Sequence, residues 1–449
     1  MKRICFILQI FVIFLIMIPN WACSQGNSVN PNQDAPSMNI FEQNANQICK
    51  DSGVQNFFKM DEKGLFLYAD SVSKIQEKPE FSLYADEFPV FRKLLKTLSS
   101  KDLYELYRSK GNSILDSNLY SKYNQRKPHQ IDSLHPLRGI RIAIDPGHVA
   151  GSQKEAVMEQ KFISIKDGTD TLKFYEASLA YFTAKFLAEK LQEAGAEVLL
   201  TRKKNGYTAF GKTYEQWRKT DLNKAVKEEL NAKRITQKEA LYLLQKASAK
   251  QVFSRFFRNY DLRERAKIIN DFQPDLTIVV HYNCQEANAM SKKGMELVDD
   301  NFNMAFIPGS WGRSSVEDSL SRFHLARLLV SDEIYHSTQF SKYIVQSFTK
   351  NLGVAPLDTI SAESLNYIKA YSLKTNETGV YSRNLALTKY VVGTICYGES
   401  LYQDNFNECR RLANLDLEIE GMKISSRTQE VAHAYYEGIL DYLNSISKK

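Results

Sequence analysis

The spacing of apolar residues changes several times along this 449-residue chain, and each change predicts a different kind of structure. Lys2 and Arg3 precede a nearly unbroken apolar run from Ile4 to Ile18, which leads into PNWACSQG. A bilayer-spanning helix needs roughly 20 apolar residues, so this shorter run reads as an export signal over residues 1–24. Residues 25–39 are mostly polar and have little to bury, which predicts a tether. Over 40–121 aromatic and aliphatic residues return at helical spacing. Val90, Leu94, Leu95 and Leu98 fall on one face, and the pattern restarts with Leu103 and Leu106. These positions predict a small N-terminal helical region. Polar residues over 122–137, His129 and His135 among them, read as a linker.

From residue 138 the pattern alternates between strands and helices. The run at 140–144 is apolar except for Arg141, as expected of a strand covered on both faces. KFISIKDGTDTLKFYE predicts a hairpin about Asp167-Gly168. Glu176 opens a helix with Leu179, Phe182, Phe186, Leu187 and Leu191 at helical spacing, and Gly195 ends it. EVLLTR reads as the next strand, and DLRERAKIINDFQPDLTIVVHYN as a further helix and strand. This alternation predicts an α/β domain over 138–449, with a central mostly parallel sheet flanked by helices. An insertion interrupts it at 207–260. There Thr236 and Glu239 form a capping box ahead of Leu243, Leu244, Ala247, Val252, Phe253 and Phe256, so the insertion reads as helical. It is either a packed surface decoration or an arm over the mouth of a site.

Composition narrows the classes. Lys and Arg number 59 against 52 Asp and Glu, a mildly basic balance that suits an anionic envelope polymer or lipid surface, and equally suits no particular partner. No zinc ribbon, P-loop or dinucleotide-binding signature is present, nor a concentrated basic patch, so nucleic-acid binding is not expected. Cys23 follows Ala22 as in a lipoprotein box, which would put a lipid anchor on Cys23. Ala22-Cys23-Ser24 read as a small-x-small cleavage site is the rival. Either way the chain is expected to be exported, to the periplasm or the outer membrane of a bacterium. Cys49, Cys284, Cys396 and Cys409 show no framework spacing, so free thiols are expected, with a Cys396–Cys409 bridge as the alternative.

Candidate chemistry gathers where apolar runs end. IRIAIDPGH ends in His148, and TIVVHYN carries His281. Ligands of parallel sheets collect at the carboxyl ends of strands. Glu176 sits in the first turn of a helix, and TICYGES brings Glu399 to the end of another apolar run. Two histidines and a carboxylate are the ligand types of a zinc hydrolase, which keeps three protein ligands and leaves a fourth position open. Glu155 and Glu159 are rivals to Glu176, and Cys284 competes more weakly for the metal. Asp145 either orients a ligand from behind or forms the turn at Pro146. Asn283 either binds substrate or caps a turn. Arg383 either pairs with a substrate carboxylate or makes a structural salt bridge. NFNMAFIPGSW is expected to form a substrate wall with its aromatics and with Asn301 and Asn303, and His324 to lie on a helix surface. Reading Glu176 and Glu399 as a glycosidase pair leaves both histidines without a role.

GIRIAIDPGH, Glu176 with ASLAYFTAKFLAEKLQEAGAEVLLTR, RERAKIIN and PDLTIVVHYN, in that order, resemble the zinc-dependent N-acetylmuramoyl-L-alanine amidases of bacterial cell-wall turnover. The resemblance covers 138–412, interrupted by insertions. It implies an α/β fold, Zn2+ as cofactor, peptidoglycan as partner, and cleavage of the amide between N-acetylmuramic acid and L-alanine, for wall turnover or daughter-cell separation. It implies zinc ligation by His148, Glu176 and His281, catalysis by Glu399, and structural roles for Arg265 and Asn270. The insertion would gate the cleft or receive an activator protein. Val149 stands where the family commonly has glycine, and Val279 where many members have serine. The readings of other classes are a catalytically inactive peptidoglycan-binding or regulatory protein and a zinc peptidase acting on another amide.

Overall fold

Isoleucine- and valine-rich runs pair with one another at the centre of the molecule. The computed structural model describes residues 38–97, 99, 101, 102, 105, 106, 135–289 and 294–447. The expected export signal with Cys23, most of the tether and linker, and Leu98, Leu103 and His129 lie outside the described residues. In chain order the strands are β1 (Phe58–Asp61), β2 (Gly64–Leu67), β3 (Phe81–Tyr84), β4 (Arg141–Pro146), β5 (Phe162–Asp167), β6 (Asp170–Tyr175) and β7 (Glu197–Leu200). There follow β8 (Leu276–Asn283), β9 (Phe302–Ile307), β10 (Ala355–Pro356), β11 (Ser372–Lys374), β12 (Val380–Arg383), β13 (Ile395–Tyr402), β14 (Leu417–Ile419) and β15 (Met422–Ile424).

The central sheet has eight strands in the order β11-β12-β9-β13-β8-β4-β7, with β10 beside β9. β4, β7, β8 and β13 are parallel, β9 enters antiparallel to β13, and β10 and β12 follow the direction of β9. The mostly parallel sheet expected from the alternation therefore forms, covered on both faces. Ile142, Ile144, Ile278, Val280 and Cys396 join one core with the helices Glu176–Glu193, Glu333–Leu352 and Arg427–Ser447. Ala143, Val279 and Ile395 point the other way, against Ala266 and Ile269 of the Arg258–Phe272 helix and against Leu387 and Val391. Each large side chain so buried contributes about 1.5–3 kcal/mol, which is why these strands are aliphatic on both faces. β5 and β6 form the expected hairpin, with Gly168 at φ 63 in its turn.

The N-terminal region carries the helices Met38–Ile48 and Phe88–Leu95, but also a three-stranded antiparallel sheet, β1-β2-β3, where only helices were expected. Four-residue strands are too short for alternation to declare itself. Gly64 makes the sheet possible: at φ 144 any Cβ would strike the carbonyl of Leu83. This region packs on the Ser319–Val330 helix. Phe81 and Phe91 meet Phe323 edge-on, Arg322 pairs with both oxygens of Glu80, and the Asn44 amide donates to the carbonyls of Leu328 and Ser331. Covered from both sides, that helix is buried around its circumference, so His324 lies in the interior and not on the surface.

The insertion folds into the short helices Tyr214–Thr220, Leu222–Asn231, Gln237–Gln245 and Ala249–Val252, then a π-helical turn at Phe253–Phe257. Thr236 accepts from the backbone N–H of Glu239, one half of the expected capping box. Tyr214, Trp217, Val226, Leu243, Phe253, Phe256 and Phe257 form a core of their own, which Val149 joins from the main domain. Cys49, Cys284, Cys396 and Cys409 are free thiols, so the Cys396–Cys409 bridge does not form. No helix among the described residues is long and apolar enough to cross a membrane.

Candidate metal centre and cleft

Strand register brings the candidate residues together. β13 lies beside β8 with Glu399 opposite His281, and β4 lies on the other side of β8 with Pro146 opposite Val280. Opposed residues of neighbouring strands share a face, as do residues two apart on one strand. Asp145, Val279, His281, Tyr397 and Glu399 therefore rise on the same face at the carboxyl ends of parallel strands. Tyr397 stacks on the His281 ring, with centroids 4.5 Å apart and planes at 11°. β13 does not stop at Glu399 but continues to Tyr402, and its register slips after Glu399. Such an irregularity re-aims a side chain beside a site.

His148 lies just beyond β4 at φ 61, a left-handed conformation that is uncommon for a residue with a Cβ. Its Nδ1 sits 3.1 Å from Glu159 Oε1, whose other oxygen accepts from the N–H groups of Val149 and Ala150. Its Nε2 faces Glu176 Oε2 at 3.1 Å. That is hydrogen-bond distance without hydrogen-bond alignment, and both atoms are buried with no hydrogen-bond partner among the described residues. The other Glu176 oxygen accepts from Tyr282 N–H at 3.2 Å and lies 2.8 Å from His281 Nδ1. His148, Glu176 and His281 each offer a donor atom within 4.8 Å of the others. A tetrahedral zinc ion with bonds of about 2.0–2.2 Å holds its donors roughly 3.3 Å apart, so the separation of His148 from Glu176 fits one. The nitrogen, and the oxygen that the Lys161 ammonium approaches to 3.4 Å without a hydrogen bond, are what such an ion would satisfy.

Of the rival carboxylates, Glu159 stands behind His148 and fixes its ring, the place of an outer partner that orients a ligand. Glu155 accepts from Gly151 N–H at 2.8 Å, away from the cluster. Cys284 donates to Asp404 at 3.2 Å, and burial and that carboxylate push its thiol far above the usual range, so it remains protonated.

The electrostatics of the cluster are those of opposed charges in a dry pocket. Burial works against protonated His148, but Glu176 and Glu159 outweigh it and raise the imidazole to about 9. Burial lowers His281 to about 4 despite Glu176. Glu176 resists burial through His148 and Lys161 and stays well below the ordinary carboxylate range. Glu399 goes the other way: burial and then the Glu176 charge raise it. The Lys161 ammonium, half-exposed, reaches Glu176 Oε2 at 3.4 Å.

A buried arginine pair holds the backbone of this loop. Arg265 donates to Asp145 Oδ2 at 3.1 Å, Asp261 at 2.8 Å, the Pro146 carbonyl at 2.9 Å and the His148 carbonyl at 2.8 Å. Arg202 donates to the carbonyls of Pro146 at 3.1 Å and Gly147 at 3.0 Å. Asp145, which also accepts from Thr201, touches no ligand itself and acts through Arg265. Asn270 clamps the chain before β13, donating to the Tyr390 carbonyl and accepting from Val392 N–H, both at 2.9 Å.

The cluster opens into a cavity of about 400 Å3, a size suited to a small ligand. Glu399, Lys161, Tyr397 and Arg383 line it, and Phe253, Phe257 and Arg258 close one side. The end of the insertion is thus a wall of the cleft. Val149 is explained by the same contact, since its side chain fills the insertion core that a glycine would leave open. Asn283 does not line the cavity: its amide donates to the Tyr367 hydroxyl at 2.9 Å and its oxygen accepts from Cys284 N–H. The expected wall of NFNMAFIPGSW is instead β9, inside the sheet. Asn303 there is wholly buried, and Asn301 accepts from Tyr402 N–H. Lys161, Arg202 and Tyr397 were not singled out as parts of the centre from the sequence, and Glu159, expected as a rival ligand, supports His148 from behind instead. Tyr397 was readable in principle, because it stands two residues before Glu399 on one strand.

No curated protein matches the chain in sequence. Among solved structures it is similar to the CwlD amidase of Clostridioides difficile in complex with the GerS lipoprotein, at 15% identity and TM-score 0.36, covering 68% of this chain and 100% of that one. The N-acetylmuramyl-L-alanine amidase Ami1 of Mycobacterium smegmatis is similar at 14% identity and TM-score 0.36, over 69% and 99%. The catalytic domain of CwlV from Paenibacillus polymyxa is similar at 13% identity and TM-score 0.34, over 68% and 98%. The model of the N-acetylmuramoyl-L-alanine amidases matches residues 142–440, well over half of the chain. That span holds β5 through β13, β4 but for its first residue, and every residue of the cluster, and the chain therefore belongs to the N-acetylmuramoyl-L-alanine amidase family.

Proposed function

We propose that the protein is a zinc-dependent hydrolase that cleaves the amide between the lactyl group of N-acetylmuramic acid and L-alanine in peptidoglycan, for wall turnover or separation of daughter cells. The observation that carries the reading is the pair of buried atoms without a hydrogen-bond partner among the described residues, His148 Nε2 and Glu176 Oε2, facing each other beside Glu399. His148, Glu176 and His281 would hold the ion. When bound, zinc supplies a Lewis acid that polarises the scissile carbonyl and acidifies a water. Glu399 takes a proton from the attacking water and delivers one to the departing amine of L-alanine. Tyr397 holds the His281 ring in its plane, Glu159 holds that of His148, and the aromatic wall of Phe253 and Phe257 excludes water from the reaction.

The leader-like start supports export to the compartment of this substrate, with Cys23 as the lipid-anchor candidate. The separately packed insertion supports an activator site there. Purified protein is expected to hold one zinc ion per chain and to release peptides with a free L-alanine amine from sacculi, and to stop when the metal is chelated. Sacculus binding that persists under chelation, without products, would favour the inactive wall-binding reading. Release of other fragments would favour a peptidase.

Gly147 offers a second test. A Cβ there would run into the His281 ring, so Gly147→Ala displaces a ligand without touching its chemistry. Zinc affinity is expected to fall by about 10–100-fold, the usual effect of disturbing a ligand's support. Competition with a metal-binding dye measures it.

A further inference from the structure

Most buried guanidiniums among the described residues are engaged. Arg202 is bound by carbonyls, Arg265 by Asp145 and Asp261, Arg322 by Glu80, Arg327 by Glu333, and Arg427 by Glu408. Arg383, at the end of β12 and partly buried, is different. Its guanidinium is held between two rings, 4.9 Å from the Phe306 centroid and 5.1 Å from that of Tyr367. No carboxylate or hydrogen-bond acceptor contacts that guanidinium among the described residues. The clamp is fixed from behind, since the Asn283 amide donates to the Tyr367 hydroxyl at 2.9 Å. Arg383 also lines the cavity that holds Glu399 and His281. Aromatic faces hold a cation in place but leave the guanidinium edge free to donate.

The remaining cations of the cavity differ in what they have left to offer. Arg265 is spent on two aspartates, and Lys161 is drawn to Glu176. Arg258 also lines the cavity but is exposed, so solvent screens it. Arg383 is left as the partly buried positive charge of the cavity that no carboxylate contacts directly, although its charge also acts on Glu399.

We infer that Arg383 selects peptidoglycan stems by a free carboxylate close to the scissile amide and discriminates against the same stem bearing a carboxamide. The inference rests on the amidase reading of the site and names the substrate form that the site takes. The position that can present either group is the second residue of the stem, D-glutamate or its α-carboxamide. A guanidinium edge matches two carboxylate oxygens with two N–H donors, whereas a carboxamide offers one oxygen and opposes its own N–H to the other donor.

The test uses the full zinc-loaded chain with N-acetylmuramoyl-L-alanyl-D-glutamate and its α-carboxamide. The carboxylate form is expected to be preferred by about 10–100-fold in kcat/KM, mostly through KM, as fits a charge-assisted pair. Arg383→Met should bring the two substrates close to parity, and Arg383→Lys should restore part of the preference, with zinc content and unfolding midpoint reporting on folding. Equal use of both substrates by the native chain overturns the inference, and so does an Arg383→Met variant that loses both substrates in the same proportion. Calorimetric binding to Glu399→Gln separates this from the amidase reading. Carboxylate-selective binding that Arg383→Met abolishes, with no cleavage by the native chain, keeps the inference and removes the amidase reading. Neither cleavage nor selective binding removes both.

Discussion

Glu399→Gln is expected to lower turnover of muramyl peptides by about 10²–10⁴-fold while the protein keeps one zinc ion per chain. The substitution preserves shape and hydrogen-bonding capacity but cannot carry a proton. Glu399 suits that proton in several ways. Its strand register sets it opposite His281, so it lies beside the cluster without belonging to it. Its Oε2 is buried with no hydrogen-bond partner among the described residues. Burial, reinforced by Glu176, raises its affinity for a proton above that of an ordinary carboxylate. Single-turnover release of L-alanyl peptide and metal analysis of the same sample check both halves. A rate close to that of the native chain would mean that the base is elsewhere, and Lys161 would be the next group to replace.

Arg265→Met is expected to cost about 3–5 kcal/mol of stability, the usual penalty for removing one partner from a buried ion pair. Arg265, Asp145 and Asp261 are all nearly inaccessible to solvent, at 1%, 0% and 2% exposure. Methionine fills the space but abandons two carboxylates and the carbonyls of Pro146 and His148. The second loss matters for function. The left-handed backbone at His148 has its carbonyl tied down by Arg265, and without that bond the residue can relax and take its imidazole out of line. Denaturant midpoints measure the stability, and zinc affinity of the folded variant measures the displacement. A midpoint near that of the native chain would mean that Arg202 alone holds the loop.

Much of this centre was legible in the sequence because it stands on the most regular elements. Central strands are apolar on both faces, so the runs into His148 and His281 and the run through Glu399 could be recognised without knowing their neighbours. Glu176 was legible from the helix behind it. What escaped was decided by packing. Glu159 could be told from a ligand only by seeing which imidazole nitrogen it faces. The direction of β9 and its place between β12 and β13 leave no trace in alternation, which is why its asparagines read as a wall. His324 escaped because the 319–330 helix is covered on all sides, and one of its covers is a sheet of strands too short to announce themselves.

Val149 has a thermodynamic consequence. It follows His148 directly, yet its side chain belongs to the core of the insertion. The insertion is therefore in packing contact with the residue next to the first ligand of the proposed centre. By linkage, an occupant of the insertion that alters zinc affinity through Val149 has its own affinity altered by zinc by the same factor. An occupant of the insertion would act on the chemistry without entering the cleft, by changing how firmly the ion is held.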